Sequence, residues 1–143
     1  MTSIPYGYNI TADAKLFDLN AIHGYLTRSY WSTGIPFETV ARAVANSVGV
    51  GAFHSGSQVG FARVTTDRAT FAYLADVYVL EEHQGKGLAA AMVKALQEHP
   101  ELQGLRRWML ATSDAHRVYA KLGWQQVIDA APFMQRHFPD VYK

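Results

Sequence analysis

One stretch of the chain combines a strand-like run, two glycines and a lysine in an order that can bind an anion. Residues 77–96 read VYVLEEHQGKGLAAAMVKAL, so an apolar strand is predicted to pass through a glycine turn into a helix. The first N–H groups of a helix have no partner within the helix, and the helix dipole places partial positive charge there. Gly85 and Gly87 leave those donors uncovered, and Lys86 adds a full positive charge. The stretch therefore predicts a phosphate site, and a plain turn that uses glycine for its backbone angles is the alternative.

Three phosphate-binding patterns can be compared with this loop. A P-loop needs Ser or Thr after its Gly-Lys pair, and here the lysine is followed by glycine, so that pattern is excluded. The dinucleotide fingerprint G-x-G-x-x-G/A is matched by Gly85, Gly87 and Ala90, but it needs an acidic residue at the end of the next strand. The next predicted strand, LRRWMLAT, does not supply one. The third pattern, Q/R-x-x-G-x-G/A, is matched by Gln84, Gly87 and Ala89.

The first half of the chain predicts a short strand, two helices and an antiparallel meander. Asp18 is placed to cap the first helix and Pro36 to open the second. Turn residues then separate three β-rich segments. A dinucleotide-binding domain would instead alternate strands and helices here, so the meander contradicts that alternative. The predicted strands are residues 6–10, 48–53, 58–65 and 69–80.

The second half of the chain predicts two helices and two further strands. The helix that follows the glycine loop is expected over residues 85–98, because Pro100 prevents its continuation. It connects the meander to a strand over residues 105–112, which should lie parallel to the last meander strand. A short helix then begins at Thr112 or Ser113 and ends at Gly123. We also expect a strand over residues 124–128 and an irregular tail after it.

Composition limits the classes of protein to consider. A chain of 143 residues with 49% hydrophobic residues fits one domain, residues 1–143, with a substantial core. A net charge of +1 gives no reason to expect a nucleic-acid partner. There is no run of residues that predicts a membrane span or a signal peptide, so the cytoplasm is the expected compartment. The absence of cysteine excludes disulfides and thiolate chemistry, and no histidine spacing predicts a metal site.

The segment over residues 114–124, DAHRVYAKLGW, adds a second motif to the glycine loop. Together with the order of elements, the two motifs resemble the GNAT superfamily of acyl-CoA-dependent N-acetyltransferases, whose late helix ends in Y-x-K-x-G-F/W. The family often has asparagine near the start of this helix, where Asp114 and His116 stand. The resemblance implies a mixed α/β fold: a mixed central sheet with an antiparallel meander, splayed parallel strands and flanking helices. The matching residues are Tyr119, Lys121, Gly123 and Trp124.

The resemblance also implies how acetyl-CoA would be bound and used. The loop amides would hold the pyrophosphate, and the backbone of the strand before the loop would pair with the pantetheine arm. The N–H of Val79 would face the thioester oxygen, and Tyr119 would protonate the departing thiolate. Packing of an aromatic helix residue into the core is the alternative for Tyr119. The implied cofactor-binding residues are Val77, Val79, Gln84, Gly85, Lys86, Gly87, Leu88 and Ala89.

The general base and the acceptor pocket are less well defined by the sequence. Asp76 is a carboxylate in the middle of an apolar strand, which suits a catalytic base or a structural carboxylate bonded to Arg63 or to a backbone amide. Tyr30 and Trp31 are candidates for the acceptor pocket, because they fall on a loop between helices and outside any periodic pattern. Further candidates near the cleft, for which a solvated side chain is the simpler interpretation, are Glu81, Glu82, His83 and His116.

Three functions compete at this point. The first is an N-acetyltransferase that moves an acetyl group from acetyl-CoA to a primary amine of a small molecule or peptide. The second is a non-catalytic acyl-CoA-binding or sensing module of the same fold, which the presence of Tyr119 disfavours. The third is a nucleotide-dependent oxidoreductase, which the meander disfavours. The resemblance also makes a homodimer through the C-terminal strands one of the expected arrangements.

Overall fold

The computed structural model describes residues 4–143 and contains one five-stranded sheet with the strand order β1-β2-β3-β4-β5. The first four strands are antiparallel neighbours, and β5 runs parallel to β4. This mixed sheet with flanking helices confirms the predicted fold class. The strands are β1 (Tyr8–Thr11), β2 (Val48–His54), β3 (Ser57–Thr66), β4 (Phe71–Val79) and β5 (Arg107–Met109). The helices are α1 (Leu19–Leu26), α2 (Phe37–Ala45), α3 (Leu88–Gln97) and α4 (His116–Ala120).

Local sequence signals account for the two early helices. Asp18 caps α1, because its side chain accepts a hydrogen bond of 3.0 Å from the backbone N–H of Ala21. Pro36 stands immediately before α2, where its fixed φ suits the entry and its missing N–H costs nothing. Both predicted starts are confirmed.

Helices cover the two faces of the sheet. On one face, α1 and α2 pack against β3 and β4, and the buried residues include Ile22, Leu26, Val40, Phe61 and Tyr78. On the other face lies α3, with Leu88, Met92, Val93 and Leu96 buried against Val50, Ala52 and Val64. Within residues 4–143, none of the helices has both the length and the apolar character that a membrane span needs.

Strand β4 contains a bulge at Asp76. Tyr78 pairs with Phe61 and Ala75 with Arg63, so the two β4 residues between them face a single residue of β3. Asp76 has a φ of 56°, a left-handed conformation that is uncommon for a residue other than glycine. Such a conformation persists only where surrounding contacts hold it. The contacts that hold Asp76 are those of its own side chain, described below.

Strands β4 and β5 separate after a short parallel contact. They pair only at Phe71, Ala72 and Tyr73 of β4, although β4 continues to Val79. β5 ends at Met109, three residues earlier than predicted, because it no longer has β4 beside it. The predicted splaying of the two parallel strands is therefore confirmed, and it opens a gap at the outer edge of β4.

The predicted last strand, over residues 124–128, is wrong. No strand follows α4 in the described part of the chain, and residues 125–141 are all exposed. The Trp124 indole N–H donates to Gln97 Oε1 at 2.8 Å, which fixes Trp124 at the C-terminal end of α3. An alternating apolar pattern becomes a strand only beside a sheet edge. Here Trp124 is fixed on α3 instead, so the residues after it have no sheet edge to pair with.

Helix α4 is also shorter than predicted. It spans five residues from His116, and Ala115 precedes it without a side-chain cap. Thr112 Oγ1 instead accepts the backbone N–H of Ala115 at 3.1 Å, so it stabilises the turn before the helix. The predicted end is confirmed: Gly123, with a φ of 98°, follows the helix and its N–H reaches the carbonyl of Ala120 at 3.2 Å.

The close approach of α3 to the sheet at Gly60 gives the first testable prediction. A Cβ at Gly60 would lie 2.9 Å from the Tyr78 carbonyl oxygen and 3.1 Å from Met92 Cε. Gly60→Ala should therefore lower the free energy of unfolding by about 1–3 kcal/mol through overpacking. Gly24→Ala, inside α1 with nothing within 4 Å of the added carbon, should raise it by about 0.5–1 kcal/mol. Urea unfolding of both variants checks this, and a Gly60→Ala protein as stable as the parent contradicts the packing described here.

Candidate active site

The gap between β4 and β5 is part of a cleft of about 1330 Å³. One half, the loop half, is bounded by the end of β4, the glycine loop at residues 83–90 and α4. The other, the aromatic half, is bounded by residues 28–31 between α1 and α2 and by the middle of β4. The cleft thus joins a site rich in backbone donors to one rich in aromatic side chains.

In the loop half, the start of α3 is free of side-chain caps. Gly87 precedes the helix with a φ of 79°, and its carbonyl accepts the N–H of Ala91 at 3.0 Å. The N–H groups of Leu88 and Ala89 therefore precede the first intrahelical hydrogen bond and have no partner within the helix. A Cβ at Gly85 or Gly87 would meet no atom within 4 Å, so both glycines border open space. This arrangement fits an anionic group at the helix start.

The end of β4 presents a backbone donor to the same space. Leu80 N–H donates to the Val59 carbonyl at 2.8 Å, and along a strand successive N–H groups point to opposite edges. The N–H of Val79 is thus directed away from β3, towards the cleft. Its carbonyl, on the same edge, accepts the Gln84 side-chain amide at 2.9 Å. Gln84 thereby ties the glycine loop to the strand, which the motif alone did not predict.

The structure brings together most of the residues that the sequence singled out. Lys86, Glu82 and His116 are the exceptions, because they are exposed and their side chains are not part of the cleft wall. The predicted residues that line the cleft are Tyr30, Trp31, Asp76, Val77, Val79, Gln84, Gly85, Gly87, Leu88, Ala89 and Tyr119.

Tyr119 is fixed by the end of α4. The Tyr119 carbonyl accepts the N–H of Trp124 at 3.1 Å, and the two aromatic rings lie edge to face with centroids 6.1 Å apart. Burial raises the pKa of Tyr119, and the neighbouring Tyr30 and Asp114 raise it further. The phenol therefore stays protonated at neutral pH and can act as a proton donor. Its ring also packs against the core, which is the alternative role that the sequence analysis gave it.

Asp76 has both of its carboxylate oxygens engaged. Oδ2 accepts from Arg63 Nε at 2.7 Å, and Oδ1 accepts from the Trp31 indole N–H at 2.9 Å. The carboxylate side chain is only 9% exposed, and Arg63 also donates to Ser47 Oγ at 3.0 Å. The ion pair with Arg63, one of the two alternatives raised from the sequence, is thus present in the structure. It holds the β4 bulge and fixes Trp31 over it.

The aromatic half contains stacked and edge-to-face rings. Tyr25 and Tyr78 are stacked with centroids 4.1 Å apart, and Tyr30 meets Trp31 edge to face at 5.0 Å. The Tyr30 hydroxyl is 2.8 Å from Ser113 Oγ, so it reaches across the gap to the segment between β5 and α4. Flat aromatic walls of this kind accommodate apolar or cationic groups.

Several residues of the cleft were missed by sequence reasoning. Arg28 forms an ion pair of 3.2 Å with Glu81 and covers the Tyr25 ring, with its guanidinium carbon 4.7 Å from the ring centre. A hydrogen bond from its own backbone amide, and then one from Arg28, lower the pKa of the Glu81 carboxyl. Ser113 and His137 also line or border the cleft, and no local motif indicates either of them.

Within residues 4–143 no three potential metal-ligating side chains lie together.

A splayed parallel strand pair beside an uncapped, glycine-led helix is the arrangement that the sequence resemblance implied. Comparison with protein families agrees: the model of the acetyltransferase (GNAT) family matches residues 14–124. The chain belongs to the GNAT family of acetyltransferases. The antiparallel meander of β2, β3 and β4 and this membership remove the oxidoreductase alternative.

Individual relatives support the same assignment. A protein of Gibberella zeae named "Putative acetyltransferase FG08082" is 33% identical over 80% of this chain and 76% of its own length. A GNAT-family crystal structure from Xanthomonas campestris pv. campestris is 44% identical, with a TM-score of 0.93 over 98% of this chain and 99% of that one. A Clostridium acetobutylicum structure determined with acetyl-CoA has a TM-score of 0.67 at 18% identity, over 91% of this chain and 96% of that one, which shows a shared fold.

The second prediction compares the buried and exposed ion pairs of the site. Arg63→Met leaves the Asp76 carboxylate buried without its cation and should lower the free energy of unfolding by about 3 kcal/mol. Arg28→Met breaks a pair whose side chains are 53% and 62% exposed, and should cost less than about 1 kcal/mol. Chemical denaturation of both proteins provides the comparison. Equal losses of stability would mean that the Arg63–Asp76 pair does not hold the bulge.

Proposed function

We propose that this protein transfers the acetyl group of acetyl-CoA to a primary amine of a small molecule or peptide. The observation that carries the proposal is that one cleft contains an uncapped helix start, an open strand edge and the Tyr119 phenol. A non-catalytic acyl-CoA-binding module would need the first two features only. Tyr119 therefore favours an enzyme.

The residues present fit coenzyme A. Open space borders Gly85 and Gly87 at the start of α3, where the N–H groups of Leu88 and Ala89 can bind the pyrophosphate. The outer edge of β4 at Val77 and Val79 can pair with an extended arm that carries amide groups. Acetyl-CoA supplies, when bound, an acetyl group on a thioester whose sulfur is the leaving atom.

The chain then provides a donor for the negative charge that develops on the thioester oxygen and a proton donor for the departing sulfur. The Val79 N–H is directed to the cleft and can donate a hydrogen bond to the thioester oxygen, which stabilises negative charge there. Tyr119 Oη holds a proton that it can give to the sulfur. We assign Asp76 a positioning role, because Arg63 and Trp31 already occupy its two oxygens. The amine then loses its proton to solvent.

We propose, in addition, that the protein forms a homodimer. Of the C-terminal strands through which the resemblance implied a dimer, the last is not formed within residues 4–143, so the support is instead the C-terminal segment, in which Ile128, Met134 and Phe138 are 91%, 97% and 60% exposed. Light scattering on the purified protein measures the assembly directly, and a monomer at micromolar concentration contradicts the proposal.

A thiol-release assay tests the proposed function most simply. The protein is mixed with acetyl-CoA and each member of a panel of aliphatic, aromatic and peptide amines, and release of free coenzyme A is followed. Amine-dependent release supports the enzyme. Tight acetyl-CoA binding without release for any amine would indicate the non-catalytic module instead.

The third prediction concerns the glycine loop. Gly87→Val places a branched side chain at the helix start and should weaken acetyl-CoA binding by at least about 10-fold, or about 1.4 kcal/mol. Lys86→Ala should weaken it by less than about 3-fold, because an exposed charge is screened. Gly104→Val is the matched control, since Gly104 has a φ of 77° and open surroundings outside the cleft. Calorimetry that ranks Lys86→Ala as the most damaging change would mean that side-chain charge dominates the site.

The fourth prediction concerns Tyr119. Tyr119→Phe keeps the ring and its packing but removes the proton donor, so the fold and the affinity for acetyl-CoA should survive. The single-turnover rate should fall by about 100-fold, the lower end for a lost acid–base group. Rapid mixing is the appropriate measurement, because slow product release can hide the effect in steady state. An unchanged single-turnover rate would leave Tyr119 with its packing role alone.

The fifth prediction separates positioning from base catalysis at Asp76. If Asp76 orders Trp31 and the bulge, Asp76→Asn should lower the rate by a similar factor at neutral and at high pH. If Asp76 accepts the proton of the amine, the rate should recover at high pH, where the amine is already neutral. The pH profile of the maximal rate, recorded on protein whose thermal unfolding is cooperative, distinguishes the two outcomes.

A further inference from the structure

The segment after α4 crosses the molecule without regular structure. Its backbone hydrogen bonds are local turns, such as Phe133 N–H to the Ala130 carbonyl at 3.0 Å and Val141 N–H to the Phe138 carbonyl at 3.2 Å. It begins at Trp124, which is anchored on α3, and ends beside α1 and α2. A segment that takes this path without hydrogen-bonded pairing to a strand is held in place by side-chain contacts.

Two contacts anchor the part of the segment that we call the C-terminal strap, residues 133–142. At its start, the Phe133 ring lies under the guanidinium of Arg107 on β5, with 4.8 Å between the guanidinium carbon and the ring centre. At its end, Tyr142 is partly buried against the cluster that contains Ile22 and Val40. The strap therefore spans from the β5 side of the cleft to the helical face, and His137 between the anchors lines the cleft.

Gly34 allows Tyr142, the second anchor, to pack closely against the α1–α2 connection. Its φ is 84°, and a Cβ there would lie 3.0 Å from the Tyr142 carbonyl oxygen and 3.9 Å from Tyr142 Cβ. Gly34 belongs to the same α1–α2 connection that carries Tyr30 and Trp31. The loop that forms the aromatic wall is thus also the loop on which the strap docks.

The charges around the aromatic half are already compensated. Arg28 pairs with Glu81 at 3.2 Å, and Arg63 pairs with Asp76 at 2.7 Å. Flat aromatic surface then remains as the main means of recognition. An acceptor whose body carries a phosphate or carboxylate would have to compete with these pairs, whereas an aromatic body would not.

We propose that the aromatic half accepts a primary amine on an aromatic body, and that the strap closes over this body with His137 in contact with it. This inference rests on the proposed acetyl transfer and adds the class of acceptor and the element that selects it. It predicts that displacing the strap weakens recognition of the acceptor and leaves the loop half intact.

The first test uses 2-phenylethylamine as the acceptor and two glycine variants. Gly34→Ala should raise the KM for 2-phenylethylamine by about 10-fold, in the range for a lost apolar contact, with the KM for acetyl-CoA within about 2-fold of the parent. Gly56→Ala is the matched control, because Gly56 has a φ of 81° but no atom within 4 Å of the added carbon. It introduces the same backbone strain without touching the strap and should leave both KM values unchanged.

The second test uses a substitution at an exposed position, which should leave the fold unchanged. His137 is exposed, so His137→Ala should fold normally and should also raise the KM for 2-phenylethylamine. Gln135→Ala, in the same strap but exposed and outside the cleft wall, should have no effect. Unchanged KM values in both Gly34→Ala and His137→Ala would overturn the strap as an acceptor wall.

The remaining outcomes separate this inference from the proposed function. If the parent protein releases coenzyme A with spermidine, an aliphatic polyamine, but not with 2-phenylethylamine, the acceptor class is wrong while acetyl transfer stands. If no amine supports release although acetyl-CoA binds, the proposed function itself fails. An effect of Gly34→Ala on the KM for acetyl-CoA as large as that on the amine would also overturn the inference.

Discussion

The backbone of β4 beyond Tyr73 has a neighbouring strand on one side only. β3 continues to pair with it as far as Val79, while β5 ends at Met109. Buried backbone donors and acceptors need partners, so an open strand edge inside a cleft is a site for an extended ligand. The glycine loop and α3 follow directly from the end of this strand, which places the uncapped helix start beside its last free N–H groups.

The bulge at Asp76 connects this edge to the opposite wall of the cleft. Its carboxylate joins Arg63 of β3 to Trp31 of the α1–α2 connection, so a single buried group positions a strand and a loop. Tyr30, the residue before Trp31 in that loop, reaches Ser113 on the far side of the gap. The aromatic wall is therefore attached to the same strand that presents the backbone donors, and the two halves of the cleft are built as one unit.

Features that depend on nearby residues could be predicted from the sequence. The Asp18 cap, the entry to α2 at Pro36 and the end of α4 before Gly123 each need only a few neighbouring positions, and all three are present, although α3 begins at Leu88, three residues later than predicted. Features that depend on distant contacts could not be predicted from the sequence. The expected strand at residues 124–128 lacks a sheet edge because Trp124 docks on Gln97, and nothing near His137 indicates that the tail returns to the cleft.

The central claim is that the open edge of β4 and the start of α3 together bind acetyl-CoA, and amide chemical shifts measured during a titration test it directly. The N–H groups of Val79, Leu88 and Ala89 should shift with saturation at a common dissociation constant. The amide of Leu80 is an internal reference, because it already donates to the Val59 carbonyl and should change less. Saturable binding that leaves the amides of Val79 and Leu88 unperturbed would contradict the account.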